Sequence, residues 1–97
     1  MKEKISLTIK ATHLFEKDLK LLKKQGRNLH KLECIITKLA NHEPLELKYH
    51  DHKLTNCGKY MNCRELHIEP DWLLVYKVTN NELILMLIRT GSHSKLF

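Results

Sequence analysis

Apolar positions recur at helical spacing through the first forty residues of the chain. Residues 5–9 alternate between apolar and polar side chains, which is typical of a short strand. A helix is then predicted over about residues 13–25, with Thr12 as its N-cap and Gly26 as its stop signal. Its apolar face consists of Leu14, Phe15, Leu19 and Leu22. This spacing indicates an amphipathic helix that packs on an apolar surface.

A second helix of the same kind follows after a short link. Asn28 is its predicted cap, and the helix should end near Asn41, before Pro44. The apolar stripe of this helix is Leu29, Leu32, Ile36 and Leu39, joined by Ile35. Two consecutive amphipathic helices predict a helical hairpin laid against a sheet.

The second half of the chain is typical of strands. Residues 41–58 are predicted to be a loop, followed by strands at about 64–68, 73–78 and 83–88. Pro70 lies in the turn between the first and second of these strands, and residues 79–82 form a hairpin turn between the second and third. No regular element is predicted for residues 89–97. We therefore expect a single α+β domain over residues 1–97 with the order β-α-α-β-β-β. Two helices should cover one face of a mostly antiparallel four-stranded sheet and leave the other face open.

Composition and charge narrow the class of protein. The 97 residues are 42% hydrophobic and 29% charged, which suits one folded domain. The longest apolar run has six residues (83–88), too few to span a bilayer, and no apolar stretch follows the N-terminus. Three cysteines, an odd number, favour a reducing compartment. We expect a cytoplasmic protein without a membrane segment.

The positive charge is concentrated at one end of the chain. Residues 1–31 contain nine Lys/Arg and three Asp/Glu, so they carry the whole net charge of +6. Lys17, Lys20 and Lys24 share one face of the first helix. These lysines predict contact with a polyanion such as RNA, and the alternative is a solvated lysine face.

Three of the seven histidines are candidates for chemistry. His67 lies four residues before Asp71, His93 lies four residues after Arg89, and His52 lies in the predicted loop. Histidine moves protons near neutral pH, and arginine stabilises charge on a phosphate, so the set suits phosphodiester cleavage without a metal.

Two alternatives accompany these candidates. His52, Cys57, Cys63 and His67 could bind zinc, although their spacing differs from that of a zinc knuckle. Trp72 could belong to the core or stack on a base, and Phe97 could fray or fold back to stack on one.

Four stretches of the chain together resemble one family. They are residues 15–20 (FEKDLK), 51–54 (DHKL), 58–77 (GKYMNCRELHIEPDWLLVYK) and 87–97 (LIRTGSHSKLF). The resemblance is to the YafQ-type toxins, bacterial mRNA interferases of the RelE/ParE superfamily, and it extends over nearly the whole chain.

The resemblance implies an RelE-like fold and cleavage of mRNA in the A site of the 70S ribosome. The RNA 2′-OH would attack the adjacent phosphate without metal or cofactor. The implied catalytic residues are His52, His67, Asp71 and His93, and Arg89, Trp72 and Phe97 would assist by binding RNA.

The resemblance also implies a cognate DinJ-like antitoxin, and contact with operator DNA only through the complex with that antitoxin. A ParE-like toxin that acts on gyrase and a non-catalytic RNA-binding module are the alternative functions. Four potential catalytic groups in one chain argue against the first, whereas the basic helix alone would satisfy the second.

Overall fold

The computed structural model describes residues 6–54, 60, 62–79 and 81–97 of the chain. The elements in chain order are β1 (Thr8–Ala11), α1 (His13–Lys24), α2 (Leu29–Ala40), a 3₁₀ turn (Leu47–Tyr49), β2 (His52–Lys53), β3 (Arg64–Glu69), β4 (Trp72–Thr79), β5 (Ile84–Gly91) and α3 (His93–Leu96). Within the described part of the chain, no helix is long and apolar enough to cross a bilayer.

The strands form one sheet in the order β1-β5-β4-β3-β2. β1 runs parallel to β5, and the other neighbouring strands are antiparallel. The apolar faces of α1 and α2 pack on one side of this sheet. The predicted α+β class and the placement of the two helices are therefore confirmed.

The sheet has five strands, so the predicted count of four is wrong. The additional strand, β2, lies within the predicted loop and contains only two residues. A strand this short cannot show the alternation that identifies strands in a sequence, because alternation needs about four residues to be visible. The first predicted strand, residues 5–9, overlaps β1, and residues 1–5 lie outside the described part.

The C-terminal tail, for which no element was predicted, forms the short helix α3. Ser92 begins it by accepting a hydrogen bond from the backbone N–H of Lys95. Leu96 is fully buried and joins a small apolar cluster that also contains Tyr60, Cys63, Leu73 and Val75. The sheet face opposite the long helices is therefore partly covered, contrary to the expectation of an open face.

Thr12 connects the start of α1 to the sheet. Its side chain accepts a hydrogen bond from Phe15 N–H and donates one to the carbonyl of Ile88 (2.7 Å). Its own backbone N–H donates to the carbonyl of Leu87, directly after β1 ends. One residue thus caps the helix and fixes the point at which α1 leaves the edge of β5.

Trp72 belongs to the core. Its side chain is fully buried, and its indole N–H donates to Thr90 Oγ1 (2.9 Å), which in turn donates to the carbonyl of Leu73 (2.8 Å). The ring has no exposed face for a base, so the structure does not support the prediction that Trp72 stacks on RNA. The alternative of core packing is confirmed.

Trp72→Phe should lower stability without a specific effect on any ligand. Phenylalanine leaves a gap and removes the hydrogen bond to Thr90, for a loss of about 1–3 kcal/mol in the free energy of unfolding. Urea unfolding measures this loss. Ile9→Thr, at a half-exposed site on β1, is the control and should change stability by less than about 0.5 kcal/mol. Equal urea midpoints for both variants would contradict the role assigned to Trp72.

Candidate functional site

A buried carboxylate lies between two imidazoles on the sheet. Nε2 of His52 and Nε2 of His67 are each 3.6 Å from Oε1 of Glu65. The Glu65 side chain is only 7% exposed, whereas half of the His52 side chain is accessible to solvent. A shielded carboxylate at this distance stabilises an imidazolium that forms when either histidine takes up a proton.

The backbone around His50 orients the ring of His52. His50 has a left-handed conformation (φ 49°), and its carbonyl lies 2.6 Å from Nδ1 of His52. Because a carbonyl only accepts hydrogen bonds, Nδ1 carries the proton, and Nε2 of the neutral ring is left with a lone pair. His52 is therefore arranged to accept a proton at Nε2. The ring of His50 also meets the ring of His67 edge to face, with centroids 5.9 Å apart.

Asp51 holds this segment against the sheet. Its carboxylate accepts hydrogen bonds from Tyr76 Oη (2.6 Å) and Arg64 Nε (3.2 Å). Burial, together with the neighbouring Asp51 carboxylate, raises the pKa of Tyr76 well above its ordinary value, so the phenol remains a donor throughout the physiological range. The residue immediately before His52 is thus attached to both β3 and β4.

The register of the strands places Arg89 in line with this cluster. His52 pairs with Glu65, Glu65 with Val75, and Val75 with Arg89 on four successive strands. Directly paired residues project to the same face of a sheet, and strands are about 4.8 Å apart, so the α-carbons of Glu65 and Arg89 are separated by about 10 Å. The row therefore runs from the His52–Glu65 pair through Val75 to a cation, and the register between β4 and β5 shifts at Val75.

A carboxylate on α1 holds the guanidinium of Arg89. Asp18, which is 3% exposed, accepts from Nε (2.7 Å) and Nη2 (3.1 Å) of Arg89 and from the backbone N–H of Thr90 (3.1 Å). β1 pairs with β5 only as far as Leu87. Beyond that point the Asp18 carboxylate accepts the hydrogen bond from the backbone N–H of Thr90 that a neighbouring strand would otherwise accept. The hydrogen bonds that Arg89 donates to Asp18 raise the pKa of Arg89 further, and the guanidinium stays charged.

The C-terminal residues form an aromatic group beside Tyr60. The ring of His93 stacks on Phe97 with centroids 5.0 Å apart, and Phe97 meets Tyr60 edge to face at 5.2 Å. The hydroxyl of Tyr60 donates to the carbonyl of Leu96 (2.9 Å). Phe97 is thus folded back, as one of the two alternatives predicted, and 42% of it remains exposed.

Asp71 shares a cleft with Ser92, the residue directly before His93 in the chain. Asp71 is exposed in the turn between β3 and β4, and Arg27 and Lys95 line the same small cleft. Among the described residues, no hydrogen bond or ion pair joins Asp71 to His52, His67 or His93. The prediction that Asp71 orients a histidine is therefore not supported by this structure, and Glu65 occupies that position.

Two site residues, Glu65 and Asp18, were missed by the sequence analysis. A signal for Glu65 existed, because alternation along β3 places Glu65 and His67 on one face and Leu66 and Ile68 on the other. Asp18 has no such signal, since its partner Arg89 is 71 positions away in the chain.

The structure also places the three lysines of α1 and three of the four potential zinc ligands. Lys17, Lys20 and Lys24 are all exposed on α1. Of the four potential zinc ligands, Cys57 lies outside the described residues, and Cys63 is buried in the apolar cluster beneath α3. Within the described ranges, no three His, Cys, Asp or Glu side chains are arranged to hold a metal ion.

Comparisons with known proteins place these features in a family. Residues 7–97 match the family described as the bacterial toxin of type II toxin–antitoxin systems, YafQ. The chain is 40% identical over 84 residues to the mRNA interferase toxin YafQ of Escherichia coli K12, covering 86% of this chain and 87% of that protein.

Solved structures agree with the match. A metal-bound toxin from Helicobacter pylori superposes with a TM-score of 0.86 at 46% identity, covering 94% of this chain and 99% of the other. YafQ in the DinJ–YafQ complex of E. coli superposes with a TM-score of 0.84 at 37% identity, covering 96% and 99%.

Asp18→Ala should be among the most destabilising polar substitutions in the chain. It would leave the guanidinium of Arg89, whose side chain is 15% exposed, without its buried partner, at a cost of about 3–5 kcal/mol. Glu69→Gln is the matched control, because Glu69 pairs with Arg27 and Lys31 at a site about one-third exposed and should cost about 1 kcal/mol or less. Urea unfolding at neutral pH compares the two variants. Equal losses would show that Asp18 and Arg89 behave as a surface pair.

Proposed function

The chain belongs to the YafQ family of toxins from bacterial type II toxin–antitoxin systems, and we propose that it is an mRNA interferase that acts in the ribosomal A site. The observation that carries the proposal is the row from His52 through Glu65 to Arg89 on one face of the sheet. It combines a proton acceptor, a carboxylate that supports it and a cation for a phosphate.

In the proposed reaction, the 2′-OH of the RNA attacks the adjacent phosphorus. Nε2 of His52 accepts the hydroxyl proton, and the Glu65 carboxylate stabilises the imidazolium that results. His93 donates a proton to the 5′ oxygen as the P–O5′ bond breaks. The products are a 2′,3′-cyclic phosphate and a 5′-OH, so no water is consumed in this step. In this scheme the histidines do the proton transfer that a metal-bound hydroxide would otherwise do.

The other site residues bind or position the substrate in this scheme. Arg89, held by Asp18, faces the negative charge that develops on the phosphate. Phe97 offers an exposed ring for a base while it keeps His93 in place through stacking. Nε2 of His67 is as close to the Glu65 carboxylate as Nε2 of His52 is. His67 therefore either helps to hold that carboxylate in place or replaces His52 as the proton acceptor. Asp71 has no assigned step in this scheme.

We also propose that a cognate antitoxin of the DinJ type neutralises this chain, as the E. coli relative crystallises with DinJ. The net charge of +6 suits an acidic, partly disordered partner that orders on contact. Contact with operator DNA would then occur only through the complex. Action on ribosomes implies a cytoplasmic location.

The chemistry predicts defined RNA ends. Purified chain incubated with programmed 70S ribosomes should yield an upstream 2′,3′-cyclic phosphate or 3′-phosphate and a downstream 5′-OH. Treating the chain with EDTA, and removing the EDTA before the ribosomes are added, should not lower the rate. His93→Ala and His52→Ala should each lower the rate about 10²–10⁴-fold. Glu65→Gln should lower it too, and the losses for Glu65→Gln and His52→Ala combined should be less than additive if the two groups act as a unit. Mass spectrometry identifies the ends, and single-turnover kinetics gives the rates.

Asp71→Asn is the control for these variants and should retain the parent rate. A downstream 5′-phosphate, or loss of activity in chain treated with EDTA before it is added to the ribosomes, would overturn the metal-free mechanism. Intact mRNA on ribosomes together with inhibition of gyrase would replace the proposal with a ParE-like activity, and ribosome binding without cleavage would leave an RNA-binding module.

The lysine face of α1 should attach the chain to ribosomal RNA. Changing Lys17, Lys20 and Lys24 to Glu should weaken co-sedimentation with ribosomes and flatten its dependence on salt, because fewer counterions are released from RNA phosphates. Stability should change little, since all three side chains are exposed. The same three positions changed to Arg keep the charge and should bind like the parent. Unchanged sedimentation of the Glu variant at several salt concentrations would leave these lysines as a solvated face.

A further inference from the structure

A groove separates α2 from the free part of β3. β2 pairs only with Arg64 and Glu65, so among the described residues no strand covers β3 from His67 onward. The 3₁₀ turn closes the groove on the other side. Its volume is about 770 Å³, within the range of about 300–1,000 Å³ typical of small-molecule sites.

The floor of the groove is apolar and one wall is aromatic. Ile35 from α2 and Ile68 from β3 are 3% and 7% exposed and form the floor. Tyr49 is half-buried at the wall, and Nζ of Lys48 lies 5.2 Å from the centre of its ring. An apolar floor with an aromatic ring beside it suits a nucleobase, because every base has a π-face that can stack on an aromatic ring.

The rim of the groove is positive. Lys31 and Lys48 are its cations, and His30 and His50 add imidazoles. Its carboxylate, Glu69, is already paired with Arg27 (3.0 Å) and Lys31 (2.7 Å), and these pairs lower the pKa of Glu69. The negative charge of Glu69 is thereby balanced. Lys48 at the rim has a weaker ion pair, in which its Nζ lies 3.8 Å from Oε2 of Glu46. The remaining charge attracts a phosphate.

The groove opens onto the candidate site. His67 lines the groove, and its Nε2 is also 3.6 Å from Glu65. A strand of RNA with its reactive phosphate near His52 and Arg89 would pass His67 and reach the groove with its next nucleotide. From this continuity and the chemistry of the walls, we propose that the groove binds the RNA nucleotide that flanks the scissile bond on the His67 side, with the base over Ile35 and Ile68 and the phosphate near Lys48.

This inference rests on the proposed nuclease function and assigns a binding subsite to it. An acidic peptide would also satisfy the positive rim. The nucleotide is favoured because the groove joins the proton-transfer residues and because the ring of Tyr49 lines it.

The test uses RNA oligonucleotides of two to five residues with all 2′-hydroxyls methylated, so that they bind without being cleaved. Binding to the ¹⁵N-labelled chain is followed by NMR. We expect the amides of Ile35, Tyr49 and Ile68 to shift. Lys48→Gln and Cys34→Phe, which places a ring at the exposed edge of the groove, should each weaken binding about five- to tenfold.

Two matched controls accompany these variants. Cys34→Ser removes the thiol without adding bulk, and Lys10→Gln removes a cation from β1 at the opposite edge of the sheet. Both should bind within twofold of the parent. Shifts confined to residues outside the groove, or equal losses in the controls, would overturn the proposal.

Two further outcomes separate the subsite from the function. RNA binding in the groove by a chain that does not cleave mRNA on ribosomes would support the subsite and overturn the nuclease. Cleavage with parent kinetics in both Lys48→Gln and Cys34→Phe, together with groove shifts produced only by an acidic antitoxin peptide, would overturn the subsite and leave the nuclease standing.

Discussion

The fold and the site both depend on β4 being buried on its two faces. Trp72, Leu74 and Tyr76 face the long helices, whereas Leu73 and Val75 face the cluster under α3. A strand with one buried face already resists a shift in register, because a slip of one residue reverses every side chain, and a second buried face adds to that resistance. The pairings of β4 with β3 and β5 are therefore strongly specified. They are also the pairings that bring Glu65 and Arg89 into one row.

The row from Glu65 to Arg89 has a buried carboxylate at each end. One is Glu65 itself, and the other is Asp18, which binds Arg89. Asp18 is satisfied by the guanidinium of Arg89 and by a backbone N–H, so its charge is compensated within the folded chain. Glu65 instead faces two imidazoles, which can be neutral or charged. A carboxylate with such partners is available to respond to proton transfer, whereas Asp18 is held by a permanent cation. In the proposed reaction, Asp18 is thus the structural carboxylate and Glu65 the one that takes part in the chemistry.

The short elements matter more to the site than their lengths suggest. β2 has two residues, and one of them is His52. α3 has four, and it begins with His93. Each is fixed by contacts outside itself: Asp51 is bound by Arg64 and Tyr76, and the buried Leu96 anchors α3. The catalytic candidates therefore lie at the ends of a rigid sheet, on segments that the sheet positions.

The sequence by itself determined the two long helices, the three central strands and the α+β class. These elements follow from apolar periodicity, caps and turn residues, all of which act between near neighbours in the chain. It also singled out His52, His67, Arg89 and His93, through the resemblance to YafQ-type toxins and through the chemistry of imidazole and guanidinium.

Only the tertiary structure decided which residues accompany those groups. Glu65 rather than Asp71 meets the histidines, because strand register, and not distance along the chain, sets which side chains are adjacent. Trp72 is in the core because Thr90, eighteen positions away, receives its N–H. β2 and α3 depend on long-range contacts, since neither is long enough to show a period or to be stable alone. Local patterns report which face of an element is apolar, and they contain no information about the residue that packs against it.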